Sequence, residues 1–412
     1  MDRVIARLLA HGRIQAARKQ LERGDAETLA HQVELSAIPA PTGEETARGA
    51  RVAELLAEAG LSDVSVDAVG NVCAWAPGRG ARSADEGDDC VVVCAHLDTV
   101  FGPSVDVTVR RTTRPPASRL EGPGISDNAR GLTALIGIAA ALNQAAVPLR
   151  RPVLFAATVG EEGSGDLRGI RHLLRPPPDG VRPCAAIALD GAGVERVVHR
   201  ALGSRRYRVT YRGPGGHSWA AFGVANAANA VGRAAAGLAD LVVPDEPRTS
   251  CTVARIGGGN GLNSIPQEAW LELDLRSEDQ RELLQLDRAV EAILIDAAEQ
   301  ENRRRTPGTA PIHMDRQLLG DRPCGATPWT HPLVQTAVAA TKAIGKTHQL
   351  AIASTDANIP IALGIPAIAL GAGGKAGDTH LASEWYENEE GALGLVRALL
   401  VVAATAGVAD ET

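Results

Sequence analysis

Hydrophobic positions along this chain fall into two alternating textures. Short runs such as VVVCA (91–95), VLFAA (153–157), AAIAL (185–189) and AIAL (367–370) are continuously apolar and stop at polar or glycine residues. Runs of this length bounded by turn signals read as strands covered on both faces, the texture of a parallel sheet. Between them lie stretches of helical length, at about 131–145, 166–174 and 331–343, with a last one after Asn388. Upstream, residues 26–60 read as two helices interrupted by Ile38-Pro39-Ala40-Pro41-Thr42-Gly43, and residues 63–75 as a hairpin around Gly70-Asn71. Strands alternating with helices argue for an α/β layer architecture.

The texture changes near residue 203. Strand patterns at 207–211, 251–256, 269–276 and 312–318 are interleaved with helical patterns at 225–241 and 277–302. The order β-α-β-β-α-β is that of a ferredoxin-like unit. From residue 330 the first texture resumes. The expected organisation is therefore a discontinuous α/β domain, 1–202 with 323–412, containing a central mostly parallel sheet flanked by helices. A ferredoxin-like domain is inserted at 203–322. The Gly-, Ser- and acid-rich stretch 77–89 and Pro176-Pro177-Pro178 are expected as connections. The charged, helix-patterned stretch 1–24 lacks the apolar core of a signal peptide. It leaves open a surface helix, an oligomer contact or a transit peptide.

Composition narrows the partners. A length of 412 residues exceeds what one core supports, in keeping with two domains. A hydrophobic share of 45% describes a globular chain, and the apolar stretches 132–142 and 398–404 are too short to span a bilayer. With a net charge of −7, dispersed Lys and Arg and only 3% aromatic residues, a nucleic-acid surface is not expected. Six scattered cysteines without a C-x-x-C pair point to a reduced, cytoplasmic protein.

Candidate chemistry sits where strands give way to loops. His96 ends the valine strand and Asp98 follows two residues later; in extended chain both point the same way. Asp127 lies in GPGISDNARG, Glu161 and Glu162 in FAATVGEEGSGD, Asp190 in AIALDGAG and His380 in GAGGKAGDTHLASEW. Any one of these can be a cap or a satisfied polar group. Five such places in one discontinuous domain are hard to explain as caps. Two histidines, three carboxylates and no cysteine form a donor set for two divalent ions sharing one carboxylate. Such ion pairs sit about 3.5–4 Å apart and activate water for attack on a carbonyl. The reaction then needs one further carboxylate as general base, so the glutamate pair can supply one ligand and one base.

These motifs, AHLDTV, GISDNARG, GEEGSGD, LDG, GGHS and DTHLASEW, resemble in order those of a two-zinc metallopeptidase family. It holds peptidase T, bacterial glutamate carboxypeptidase, succinyl-diaminopimelate desuccinylase and the aminoacylases. The resemblance runs from about residue 26 to the C-terminus. It implies that His96, Asp127 and Asp190 hold one metal and Asp127, Glu162 and His380 the other. The metals it implies are two divalent ions, Zn2+ or else Co2+ or Mn2+. It makes Glu161 the general base and Asp98 the partner that orients His96. It makes the discontinuous domain the catalytic one and the inserted domain a lid and dimerisation domain, through which a homodimer forms and His217, in GPGGHS, stabilises the oxyanion in the partner subunit. By the same resemblance Arg276 holds a substrate carboxylate, although a solvated strand face explains that arginine equally, and Asn263 contacts substrate. Glu384 stands open between a supporting role and a cap. An aspartate at position 190, its sequel GAGVE and STDANIPIALGIPAIAL (354–370) resemble the peptidase T branch, which implies cleavage at the N-terminus of di- or tripeptides. GEEGSGD and DTHLASEW depart from that branch. An N-acyl-amino-acid amidohydrolase or a carboxypeptidase of the same family is the alternative.

Overall fold

The computed structural model describes residues 1–76, 89–114, 117–175 and 182–409. Most of the 77–89 connection and the Pro176-Pro177-Pro178 linker lie outside the described residues. The chain divides into two compact units, Met1–Ala201 with Ala326–Thr412, and Leu202–Gly325. The second boundary falls at 325/326, three residues beyond the expected 322/323. The reason is local: beyond the strand His313–Arg322, the Cys324 backbone N–H donates to Gln280 Oε1 within the inserted unit and holds the next residues to it.

In the first unit a sheet runs in the order Ser62–Val66, Val72–Trp75, Val153–Thr158, Asp89–His96, Arg182–Leu189, Ala367–Leu370, Arg196–Ala201. The four central members are parallel; the two at the hairpin end and the Ala367–Leu370 to Arg196–Ala201 pairing are antiparallel. Val91, Val92 and Val93 are fully buried, as a central strand between two helical layers requires. One layer contains Ala129–Gln144 and Gly391–Ala406, which carry the apolar stretches read from sequence. Among the described residues no helix is long and apolar enough to cross a membrane. The N-terminal helices Asp2–Ala10 and Gly12–Arg23 join the same core through Ile5, Leu8, Ile14, Ala17 and Leu21. A small antiparallel sheet, Lys375–Gly377, Trp385–Glu387, Ala117–Glu121, Arg110–Arg114, completes the unit.

The inserted unit has the strand order Thr249–Gly258, Glu268–Ser277, Gly203–Arg212, His313–Arg322, all antiparallel. With helices Ala227–Ala239 and Gln280–Arg304 this is a ferredoxin-like βαββαβ arrangement. Glu268–Ser277 alternates strictly: Ala269, Leu271, Leu273 and Leu275 are buried beneath the helices, while Trp270, Glu272, Asp274 and Arg276 face the other way. The long helix begins at Gln280 rather than 277 because Asp279 caps it, accepting from Arg281 and Glu282 N–H.

Candidate metal centre

The centre is mounted at the C-terminal edge of the parallel strands. His96 ends its strand beside Thr158, the last residue of the neighbouring one. Asp190 follows Leu189, which pairs with Leu370. Glu161 and Glu162 lie three and four residues beyond Thr158. Asp127 precedes Asn128, the N-cap of Ala129–Gln144. His380, in the left-handed region at φ 68°, lies between the short strands Lys375–Gly377 and Trp385–Glu387.

Asp127 joins two clusters. Its Oδ1 is 3.0 Å from His96 Nε2, and its Oδ2 is 3.1 Å from His380 Nε2, which also meets Glu162 Oε1 at 2.9 Å. Donor atoms of His96, Asp127 and Asp190 all lie within 4.8 Å of one another, as do those of Asp127, Glu162 and His380. His96, Glu161 and Glu162 form a third such group. Ligands of one tetrahedral zinc, at about 2.0–2.1 Å, stand roughly 3.3 Å apart, so these spacings resemble edges of two coordination shells. Asp127 Oδ1 is buried without a hydrogen-bond partner although His96 Nε2 is close. Such atoms suit a common third position better than each other. The donors fit two divalent cations.

Charge leads to the same place. Burial, followed by the proximity of Asp127, pushes the Asp190 carboxyl up to about 7. Burial opposes ionisation of Asp127 too, but the neighbouring His380 and His96 rings hold it well below the usual carboxylate range. Asp127 and Glu162 push His380 up to about 10. Burial works against a charged His96, yet Asp127 and Asp98 raise it well above an ordinary imidazole. Protons on these histidines do the neutralising that bound cations would do.

The contacts of Asp98 differ from those expected. The His96 ring Nδ1 is 3.0 Å from the Asp98 backbone carbonyl and 3.6 Å from its Oδ1. A carbonyl can only accept, so Nδ1 carries a proton, which in the neutral ring leaves the Nε2 lone pair for a ligand. The Asp98 carboxylate instead accepts from Glu161 N–H and Glu162 N–H, both at 2.9 Å, and from Thr42 Oγ1 at 2.8 Å. Against its burial, the His96 ring, the Glu162 N–H and the Thr42 hydroxyl hold this carboxyl down at about 2.

Several supporting residues escaped the sequence reading. Asn128 donates to Leu189 O and accepts from Gly191 N–H, tying Asp127 to the Asp190 strand. Asn71 accepts from Val159 N–H and donates to Gly169 O. Glu45 accepts from Gly160 N–H. Their shared signal is a polar residue beside a turn, which is too common to single them out. Glu384 is fully buried and accepts from Gly124, Ser126 and Asp127 N–H, fixing the Asp127 loop from the His380 side. Burial pushes its carboxyl up to about 7 against those hydrogen bonds.

Residues 92–404 match Peptidase family M20/M25/M40. The chain belongs to this family. It is a hydrolase of peptide or amide bonds. Among curated protein sequences none matches it significantly. Solved structures share the M20 fold at low identity. The aminopeptidase PepT from Bacillus cereus is 19% identical, with a TM-score of 0.70 over 95% of this chain and 99% of that one. An amidase of the hydantoinase/carbamoylase family from Burkholderia vietnamiensis is also 19% identical, with a TM-score of 0.65 over 93% and 96%. The YXEP protein of Bacillus subtilis, a dinuclear metal-binding peptidase of the M20 family, is 16% identical, with a TM-score of 0.64 over 92% and 98%.

The remaining candidates of this M20 chain belong to the inserted unit. The ladder Gly216–His217 pairs with Ser264–Ile265, and Ser218 N–H donates to Asn263 O, so His217 and Asn263 share one corner. His217 Nδ1 accepts from Trp219 and Ala220 N–H at 3.2 and 3.4 Å. That leaves the proton on Nε2, an outward donor. Trp219 and Phe222 beside it are 87% and 86% exposed. Arg276 lies apart from this corner, on the polar face of the sheet, where its Nε and Nη2 donate to Asp274 of the same strand.

Proposed function

We propose that this chain is a two-metal aminopeptidase that releases the N-terminal residue of short peptides. The observation that carries the reading is the placement of Asp127, one oxygen facing His96 and the other His380, with the glutamate pair alongside. His96, Asp127 and Asp190 would hold one ion and Asp127, Glu162 and His380 the other; two imidazoles with carboxylates suit Zn2+, and also Co2+ or Mn2+. Bound divalent cations supply Lewis acidity, acidifying water and polarising the scissile carbonyl. Glu161 removes the proton of the attacking water as the C–O bond forms and delivers it to the amine as the C–N bond breaks. Glu162 rather than Glu161 meets His380, which favours this division of roles. Asp98 fixes both glutamates through their backbone. The Nε2–H of His217 donates to the oxyanion of a partner subunit's site in a homodimer. Asn263 contacts the substrate, and Arg276 receives its carboxylate by exchanging Asp274 for it. The six free cysteines suit a cytoplasmic setting.

The alternative is an N-acyl-amino-acid amidohydrolase with the same chemistry, a reading favoured by the amidase likeness. Metal analysis combined with hydrolysis of free and N-acetylated di- and tripeptides tests both. Cleavage of free peptides alone is the expected result. Cleavage of N-acyl substrates alone replaces the first reading with the second, and no hydrolysis by metal-loaded protein removes both.

A further inference from the structure

Four consecutive backbone N–H groups lead into the glutamate pair, and each donates to a buried side chain. Val159 donates to Asn71 Oδ1 at 3.0 Å, Gly160 to Glu45 Oε1 at 3.0 Å, and Glu161 and Glu162 to the two oxygens of Asp98 at 2.9 Å. Glu45 stands out among the three acceptors. It is 3% exposed, yet it is an acid held on a segment, PTGEET, that otherwise reads as a plain turn before a helix. Its Oε1 also accepts from Gly43 N–H at 2.9 Å, and both of its oxygens lie 2.8 Å from Arg168 Nη2.

Holding two N–H groups does not require a buried charge; a neutral oxygen would do so with less desolvation. What charge adds is strength, since hydrogen bonds to ionised groups are roughly twice as strong as neutral ones. That strength is applied at the weakest joint. Gly160 sits at φ 63°, and a glycine is intrinsically freer to rotate than the valine and glutamate on either side of it. Rotation about Gly160 would swing Glu161 away from its place. Arg168 adds a second restraint: a Cβ on Gly160 would lie 2.8 Å from Arg168 Cγ, so the arginine side chain packs against the glycine.

We propose that Glu45, paired with Arg168, is a positioning residue for the general base, clamping Gly160 so that Glu161 is held at the reacting water. The inference rests on the role proposed for Glu161. It touches neither metal nor substrate directly, so its loss should appear in turnover and loop motion rather than in binding.

Full-length, metal-loaded Glu45→Ala, Glu45→Gln and Arg168→Ala proteins test this. For Glu45→Ala, amide exchange across 159–162 should rise about tenfold or more, and kcat should fall about 10- to 100-fold, in the range of support-residue losses. KM should stay within about twofold and both metals should remain. Glu45→Gln should lie between, because its amide oxygen still accepts from Gly160 while Arg168 loses its partner. Folded Glu45→Ala with unchanged exchange at 159–162 overturns the proposal, as does faster exchange with unchanged kcat, or a loss confined to KM. Should Glu45→Ala not fold, Glu45→Gln and Arg168→Ala carry the same comparison. If the wild type hydrolyses none of the substrates, it is the proposed function that fails, and exchange alone then decides whether Glu45 clamps the loop.

Discussion

Glu161 and Glu162 are neighbours in sequence with different surroundings. Glu162 bonds His380, while both backbone amides are anchored on Asp98. Glu161→Gln keeps volume and removes basicity, so turnover should fall about 10² to 10⁴-fold with both ions retained, as metal analysis would show. Glu162→Gln should empty or weaken one ion site instead. The reverse pattern would exchange the two roles. Asp98→Asn should do more than disturb His96. Both carboxylate oxygens accept N–H groups, and an amide must turn its own NH2 toward one of them. A loss of about 10- to 100-fold in activity or metal affinity is expected, and unchanged values would reduce Asp98 to a packing residue. Protonation gives a signed prediction. His380 is pushed up to about 10, and His96 well above its ordinary value. Both are therefore protonated at pH 7 in the ion-free site, and a metal must displace those protons. Calorimetry in buffers of different ionisation enthalpy should record at least two protons released per protein at pH 7. Affinity should rise with pH toward about 10; pH-independent binding would contradict this account.

At the scale of elements, the buried parallel strands were legible, and the mixed-polarity strands and the loops were not. Val91–Val93 and the run 185–189 announce buried strands because a central parallel strand must be apolar on both faces. The strand Arg196–Ala201 and the short strand Trp385–Glu387 are largely buried, yet both mix polar or charged residues with apolar ones over only a few positions, so no hydrophobic period marks them. The helix expected from residue 166 starts instead at Arg168, because Asp166 and Leu167 adopt left-handed conformations and the chain folds back on itself. There Gly165 packs on Gly160, where a Cβ would lie 2.5 Å from Gly160 Cα. Gly165→Ala should therefore open the glutamate loop, lowering turnover and stability together; wild-type kcat in a folded variant would show that the close approach is dispensable. Arg48 shows the same blindness from another side. Fully buried, it donates to the carbonyls of Ile38 and Leu97 and holds the turn after Ser36 against the His96 strand end. Arg48→Met should destabilise the protein by about 3 kcal/mol, measurable by denaturant unfolding, because those carbonyls lose their donors.

At the scale of the molecule, each unit has its own core, and every proposed metal ligand belongs to the discontinuous one. His217 belongs to the other. If it serves a partner subunit, mixed dimers of Glu161→Ala and His217→Ala chains should contain one doubly defective site and one intact site. An isolated hybrid should recover about half of wild-type activity, since a two-fold dimer has two equivalent sites. A hybrid as inactive as its parents would confine His217 to its own chain or to no catalytic role.

The sequence by itself determined the class of architecture, the order β-α-β-β-α-β of the insertion and the residue types that could serve a metal pair. Hydrophobic period and strand-end position are local properties, written within a few residues. It did not determine that Asp127 presents one oxygen to each histidine, that the Asp98 carboxylate grips the Glu161 and Glu162 amides, or that Glu45 and Glu384 are buried acceptors. Those facts depend on which backbone N–H groups are left without partners when distant loops meet. A buried donor must be satisfied, but the residue that satisfies it is chosen by proximity in the fold: Glu384 and the Gly124 amide are 260 positions apart.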